Sequence, residues 1–165
     1  MNKYIGTKLI EAKPMNLGDY NKFKGWPIPE DEDPKREGYL VKYSDDYISW
    51  SPKEVFEKAY LEVDENKNLP SGVSVGAEMV EDFIVDYDVF TKKGKITIVI
   101  TTLKNGFTIV ESSACVDPKN YDENIGAEIC KERIKNQIWN HLGFLLQTAW
   151  KGIKWYSEKL NINMR

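Results

Sequence analysis

Five aromatic residues, Trp26, Tyr39, Tyr43, Tyr47 and Trp50, lie close in the chain to Lys22, Lys24, Lys42 and Lys53. Flat aromatic faces beside cations are what a nucleotide needs. The base stacks, and the phosphate takes charge-assisted hydrogen bonds. Trp26, Tyr47, Trp50 and Lys53 are therefore the candidate ligand-binding residues. The same residues also fit sheet packing with solvated lysines, because Trp and Tyr supply large apolar areas to any small core. A second feature is the acidic run Glu30 to Asp33. It can imitate phosphates toward a basic partner, or serve only as a solvated loop.

Other chemistry is sparse. His141 is the single histidine, and its neighbours Asn140 and Leu142 suggest helix packing rather than a general base with a partner. There is no Cys/His cluster with metal-ligand spacing. Asp86 and Asp88 could offer two carboxylates to a hard cation, but such pairs are common in turns and strand starts. Ser112 and Ser113 sit in no Gly-x-Ser-x-Gly elbow, and Gly94, Gly106 and Gly126 do not have the spacing of a phosphate loop. The expectation is a non-enzymatic protein with no catalytic residue, metal or cofactor.

At 165 residues the chain is long enough for one domain with a real core or two very small ones. A net charge of −3 provides no global basic field for nucleic acid. No apolar run approaches the ~20 residues that span a bilayer, and the first residues lack the apolar centre of a signal peptide. The reading is cytosolic, with Cys115 and Cys130 reduced, buried and inert.

The elements that must position these residues can be read from pattern. Residues 4–12 read as a strand, and 13–37 as a long loop rich in Pro, Gly and acid. Residues 38–43 and 47–50 read as a hairpin around Asp45-Asp46. Ser51, Pro52 and Glu54 form a capping box for a helix to about Tyr60, with Val55, Phe56, Ala59 and Tyr60 as its buried stripe. The polar stretch 62–72 is the best internal boundary. It separates a β-rich module at 1–62 from an α+β domain at 72–165. A short helix spans about Val75 to Ile84. Strands at 89–91 and 95–103 flank Lys92-Lys93-Gly94, with Ile96, Ile98 and Ile100 on one face. Asn105-Gly106 predicts a two-residue type I′ turn into a strand at 107–116. Asp122 caps a helix whose apolar face is Ile125, Ile129, Ile134, Ile138 and Leu142, with Gly143 as a break before a last helix, 144–160, carrying Trp150, Ile153 and Trp155. The class is α+β, an antiparallel sheet with hairpins covered by C-terminal helices.

Several separated motifs agree in order with one family. Thr-Leu-x-Asn-Gly-Phe fits Thr102 to Phe107, Ser-Ala-Cys-Val fits Ser113 to Val116, and Asp-Pro fits Asp117-Pro118. An Ile-Gly helix start fits Ile125-Gly126, Ile-Trp fits Ile138-Trp139, and Gly-x-Leu-Leu fits Gly143 to Leu146. From Gly72 onward the chain thus resembles a family of small accessory proteins of tailed phages, first described from phages N-four and Sf-six. Residues 4–60 resemble a phage N-terminal module, through Tyr4 to Lys8, Ala12 to Met15, Gly25-Trp26, Glu37 to Val41 and Ser49 to Lys53. In other phage proteins a similar module precedes a domain like the Thoeris anti-defence sponges, which sequester cyclic ADP-ribose-type signals. The sponge domain's own Gly-Trp-Asn-Gly signature is absent from this chain.

The resemblance implies a phage accessory protein that counters defence in the host cytoplasm. The ligand it implies is a small nucleotide signal, cyclic ADP-ribose-like or a cyclic dinucleotide, sequestered rather than turned over. The alternative is a protein–protein inhibitor of a host defence enzyme, acting through the acidic loop or a sheet edge. Neither reading involves a membrane or a nucleic acid, and either is compatible with a homo-oligomer.

Overall fold

The computed structural model describes residues 1–64 and 66–154. The chain divides into two units. One is Met1–Glu62 together with the described residues from Thr148, and the other is Val63–Gln147. The α+β class expected from the pattern is what the structure has: two three-stranded antiparallel sheets and a long C-terminal helix.

In the first unit, β1 (Glu11–Pro14), β2 (Gly38–Lys42) and β3 (Ile48–Pro52) form a sheet in that order. The strand expected at 4–12 lies instead at 11–14, because β2 supplies its partner only from Tyr39 to Lys42. The expected loop at 13–37 contains a helix, α1 (Leu17–Lys24). The β2–β3 hairpin forms as read. Tyr43 N–H donates to the Tyr47 carbonyl at 2.9 Å, Asp46 N–H to the Tyr43 carbonyl at 3.0 Å, and Asp46 sits at φ 63°. The helix α2 (Lys53–Ala59) starts without the expected capping box. Ser51 stays in β3 opposite Tyr39, and Pro52 occupies the cap position with no side-chain bond. Val55 and Ala59 are exposed. The face of α2 that packs is aromatic: Phe56 stacks on Tyr39 at 4.1 Å and on Tyr60 at 4.8 Å between ring centroids.

In the second unit, α3 (Ala77–Asp82) leads into β4 (Ile84–Lys92), β5 (Ile96–Leu103) and β6 (Thr108–Ala114), again in sheet order. The pairing of β5 with β6 runs from Ile96↔Ala114 to Thr102↔Thr108, the antiparallel hairpin expected from the sequence. The turn differs from a type I′. Gly106 has φ 81° while Asn105 is not in the left-handed region, and Leu103 N–H donates to the Phe107 carbonyl at 2.8 Å. This is a three-residue loop with Gly at the left-handed bulge position. The type I′ signature, positive φ at two successive residues, belongs to Lys93 (51°) and Gly94 (61°) between β4 and β5.

The core of this unit lies between the sheet and α4 (Glu123–Lys151), which Asp122 caps through Asn124 N–H at 2.8 Å. Ile96, Ile98 and Ile100 do share a face, but it is the half-exposed one. Thr97, Val99, Thr101 and Leu103 face the helix and are buried. The buried stripe of α4 is Gly126, Ala127, Cys130, Ile134, Ile138 and Leu142. Ile125 (62% exposed) and Ile129 (41%) point away from it. The reason is spacing: 127, 130, 134, 138 and 142 keep to one side of a 3.6-residue helix, while 125 and 129 fall on the opposite side. Gly126 fixes which side wins, since a Cβ there would overlap the Thr97 hydroxyl. Gly143 does not break the helix, and no second helix starts at Phe144. Trp155 and the end of that expected helix lie outside the described residues. Cys130 is buried as expected, whereas Cys115 is only half-buried. His141 packs edge-on against Phe107 at 5.7 Å.

Two hydroxyls in this core, Thr101 Oγ1 and Tyr87 OH, are buried with no hydrogen-bond partner among the described residues. Burial holds the Tyr87 hydroxyl above its ordinary pKa. Urea unfolding of the full chain tests this packing. Ile134→Ala should cost about 2–5 kcal/mol, because burial and a cavity both count. Ile129→Ala should cost less than about 1 kcal/mol. Thr101→Val should be neutral or stabilising, since it removes an unsatisfied buried hydroxyl at nearly constant shape.

Candidate functional site

The first unit builds a groove around α1, within the Pro-, Gly- and acid-rich segment 13–37. Asn16 caps α1 by accepting from Asp19 N–H at 2.8 Å, and Gly25 ends the helix at φ 71°. The chain then turns back, and Trp26 N–H donates to the Asn21 carbonyl at 2.9 Å. This bond holds Trp26 beside the last turn of α1, where its ring meets Tyr20 edge-on at 6.0 Å. Trp50 arrives from β3. Its Nε1–H donates to the Met15 carbonyl at 2.8 Å, and its ring lies over Gly38, where a Cβ would overlap it.

Leu17, Tyr20, Asn21, Trp26, Pro27, Pro29, Glu32 and Trp50 line the resulting groove of about 370 Å³. That is within the usual range for small-molecule sites, roughly 300–1,000 Å³. Asn21 is only 4% exposed and lines the groove. Lys24 Nζ stands 5.8 Å from the ring centroids of both Tyr20 and Trp26. The Arg36 guanidinium is 5.8 Å from the Trp50 ring and is paired with Glu54 at 3.0 Å. Burial, and secondarily the Tyr47 hydroxyl, raise the Tyr20 hydroxyl above its ordinary pKa.

The four residues singled out from sequence do not form one site. Trp26 and Trp50 share the groove. Lys53 lines a neighbouring hollow of about 510 Å³ with Lys35, Glu37, Tyr39 and Glu57. There its Nζ is 2.8 Å from Glu37 Oε2, a hydrogen bond that raises the lysine pKa and lowers that of the glutamate. Tyr39 OH donates to Glu57 at 3.0 Å, which raises the tyrosine pKa. Tyr47 is 63% exposed on the β2–β3 turn, tilted against Tyr43 at 5.9 Å, and lines neither hollow. Tyr20 and Asn21 were missed because α1 was missed. The signal was present, a capping Asn16 with Asp19 three residues on and Gly25 after the last turn.

Elsewhere, a hollow of about 540 Å³ follows the outward side chains of α4 from Asn124 to Lys135. Its walls come from one helix and gather no aromatic face. Among the described residues no group of three or more His, Cys, Asp or Glu is placed to hold a metal, and no helix is long and apolar enough to cross a membrane.

Residues 75–150 match the model of a family described as Phage protein (N4 Gp49/phage Sf6 gene 66) family. No curated protein and no solved structure matches the chain. The matched stretch falls almost wholly in the second unit, so the groove lies outside it.

Trp50→Phe keeps the ring but deletes the bond to the Met15 carbonyl. It should cost about 0.5–1.5 kcal/mol in urea unfolding. Lys53→Ala removes only an exposed ion pair, so unfolding should match the parent protein within error.

Proposed function

For a chain whose residues 75–150 match the model of this phage protein family, we propose that the first unit binds a small nucleotide immune signal and sequesters it in the host cytoplasm. What supports the reading most is the groove walled by Tyr20, Trp26 and Trp50, with the Asn21 side chain in its lining. An Asn amide offers one donor and one acceptor side by side, the pair that the edge of an adenine base takes. The Trp rings provide faces for stacking. Lys24, which makes no ion pair among the described residues, stands where a phosphate would need it, and Glu32 can accept from ribose hydroxyls. A sponge needs a preformed pocket and no reacting group, so the ligand should leave unchanged.

Calorimetry of the full chain against cyclic ADP-ribose isomers and cyclic dinucleotides tests the proposal, with chromatography of the released ligand. One member of the panel should bind and be recovered intact. Trp26→Ala should weaken that binding by about 1–3 kcal/mol, the worth of one stacked base. Asn21→Ala should weaken it too, and Lys24→Ala should flatten its salt dependence. Silence across the panel, with a host enzyme captured through the exposed acidic run Glu30–Asp33, would transfer the function to protein–protein inhibition.

A further inference from the structure

The two edges of the β4–β5–β6 sheet are treated differently. On the β6 edge, Arg133 Nη1 donates to the outward Ser112 carbonyl at 2.9 Å. A side chain laid over an edge is a common way to stop it pairing with another chain. On the β4 edge, Thr91 Oγ1 is bonded to the Tyr121 hydroxyl and the Glu123 carboxylate, but among the described residues no side chain bonds the outward backbone of β4. It is nine residues long, and every residue from Asp88 to Lys92 is exposed.

The ladder fixes which groups face out. Leu103 N–H bonds the Phe107 carbonyl and Cys115 N–H bonds the Lys95 carbonyl, so the odd-numbered residues of β5 bond toward β6. The even ones, Ile96 to Thr102, therefore bond toward β4, where they oppose Lys92, Phe90, Asp88 and Asp86. The backbone N–H and C=O groups of Tyr87, Val89 and Thr91 are left pointing away from the sheet. No backbone group among the described residues pairs with them.

This edge also carries its own complement. On the outer face of β4 the side chains run Asp86, Asp88, Phe90, Lys92: acid at one end, base at the other. Asp86 Oδ1 accepts from Thr102 N–H of the same sheet at 3.2 Å, so its second carboxylate oxygen is the one offered to a cation. We propose that β4 pairs antiparallel with β4 of a second copy about a two-fold axis through Val89, joining two three-stranded sheets into one of six strands. In that register Tyr87 opposes the other copy's Thr91, and Val89 opposes Val89. Each such pair exchanges two backbone hydrogen bonds. Asp86 then faces Lys92 of the other copy twice over, in non-hydrogen-bonded positions where side chains approach closest. The two Phe90 rings become diagonal neighbours on the same face. A parallel arrangement would set Asp86 on Asp86 and Lys92 on Lys92, and like charges directly opposite destabilise a strand pair. The interface is isologous and closes at two copies.

Sedimentation equilibrium of the full chain over a concentration series tests this, with circular dichroism to check folding. The expected result is a monomer–dimer equilibrium weakened by salt. Lys92→Asp, at an exposed residue with no ion pair among the described residues, should raise the dimer dissociation constant about tenfold or more, because two attractions become two repulsions. The charge swap Asp86→Lys with Lys92→Asp should restore it. Val89→Pro removes an outward N–H that no strand among the described residues uses, so it should abolish the dimer and leave the monomer folded. A monomer at every concentration overturns the proposal. So does a dimer that tolerates both Lys92→Asp and Val89→Pro, or one that the swap fails to rescue.

Discussion

The contact on which the second unit depends is the approach of α4 to the inner face of its sheet at Gly126. A side chain there would occupy the space of the Thr97 hydroxyl. With only a hydrogen in the way, Ser113 Oγ can donate to the Gly126 carbonyl at 3.0 Å, and Cys130 can reach complete burial one turn later. That anchoring rotates the helix so that Ile134, Ile138 and Leu142 meet Val99, Leu103 and Ile109. The face of the sheet with the more polar composition, containing Thr97 and Thr101, is consequently the buried one. Thr97 is satisfied by the Tyr121 hydroxyl at 2.9 Å, whereas Thr101 is not.

The first unit is organised on another principle. Among the described residues its buried apolar side chains are few, chiefly Tyr20, Leu40 and Val41. Directed hydrogen bonds therefore carry much of the positioning: Trp50 to the Met15 carbonyl, Trp26 N–H to the Asn21 carbonyl, and Asn16 to the start of α1. These bonds hold two large aromatic rings at a surface rather than in a core. Rings fixed by such hydrogen bonds would lose little freedom on binding a ligand. The exposed salt bridges around them, such as Lys53–Glu37 and Arg36–Glu54, add little to stability in water. Their effect is on the local field, where they neutralise cations that sequence alone would have assigned to a phosphate.

Residue types and spacing alone are enough for the α+β class, all three hairpins, the Asp122 cap and the resemblance to the phage family, because each rests on local chemistry: turn residues, capping residues, strand periodicity and ordered motifs. The sequence also held the signal for α1 in Asn16 and Gly25, which the density of Pro, Gly and acid nearby obscured. Only the tertiary structure decided which of two apolar faces is buried. On β5 both faces are β-branched, and on α4 the isoleucines 125 and 129 are as apolar as 134 and 138. The choice between them was made by the close contact of Gly126 with Thr97, across 29 residues of chain separation (126 − 97). The same holds for the groove. Trp26 and Trp50 are aromatic in any reading, but their meeting around Asn21, and the separation of Tyr47 and Lys53 from them, follow from where α1 docks on the β1–β3 sheet. That is a long-range packing constraint, and residue spacing does not encode it.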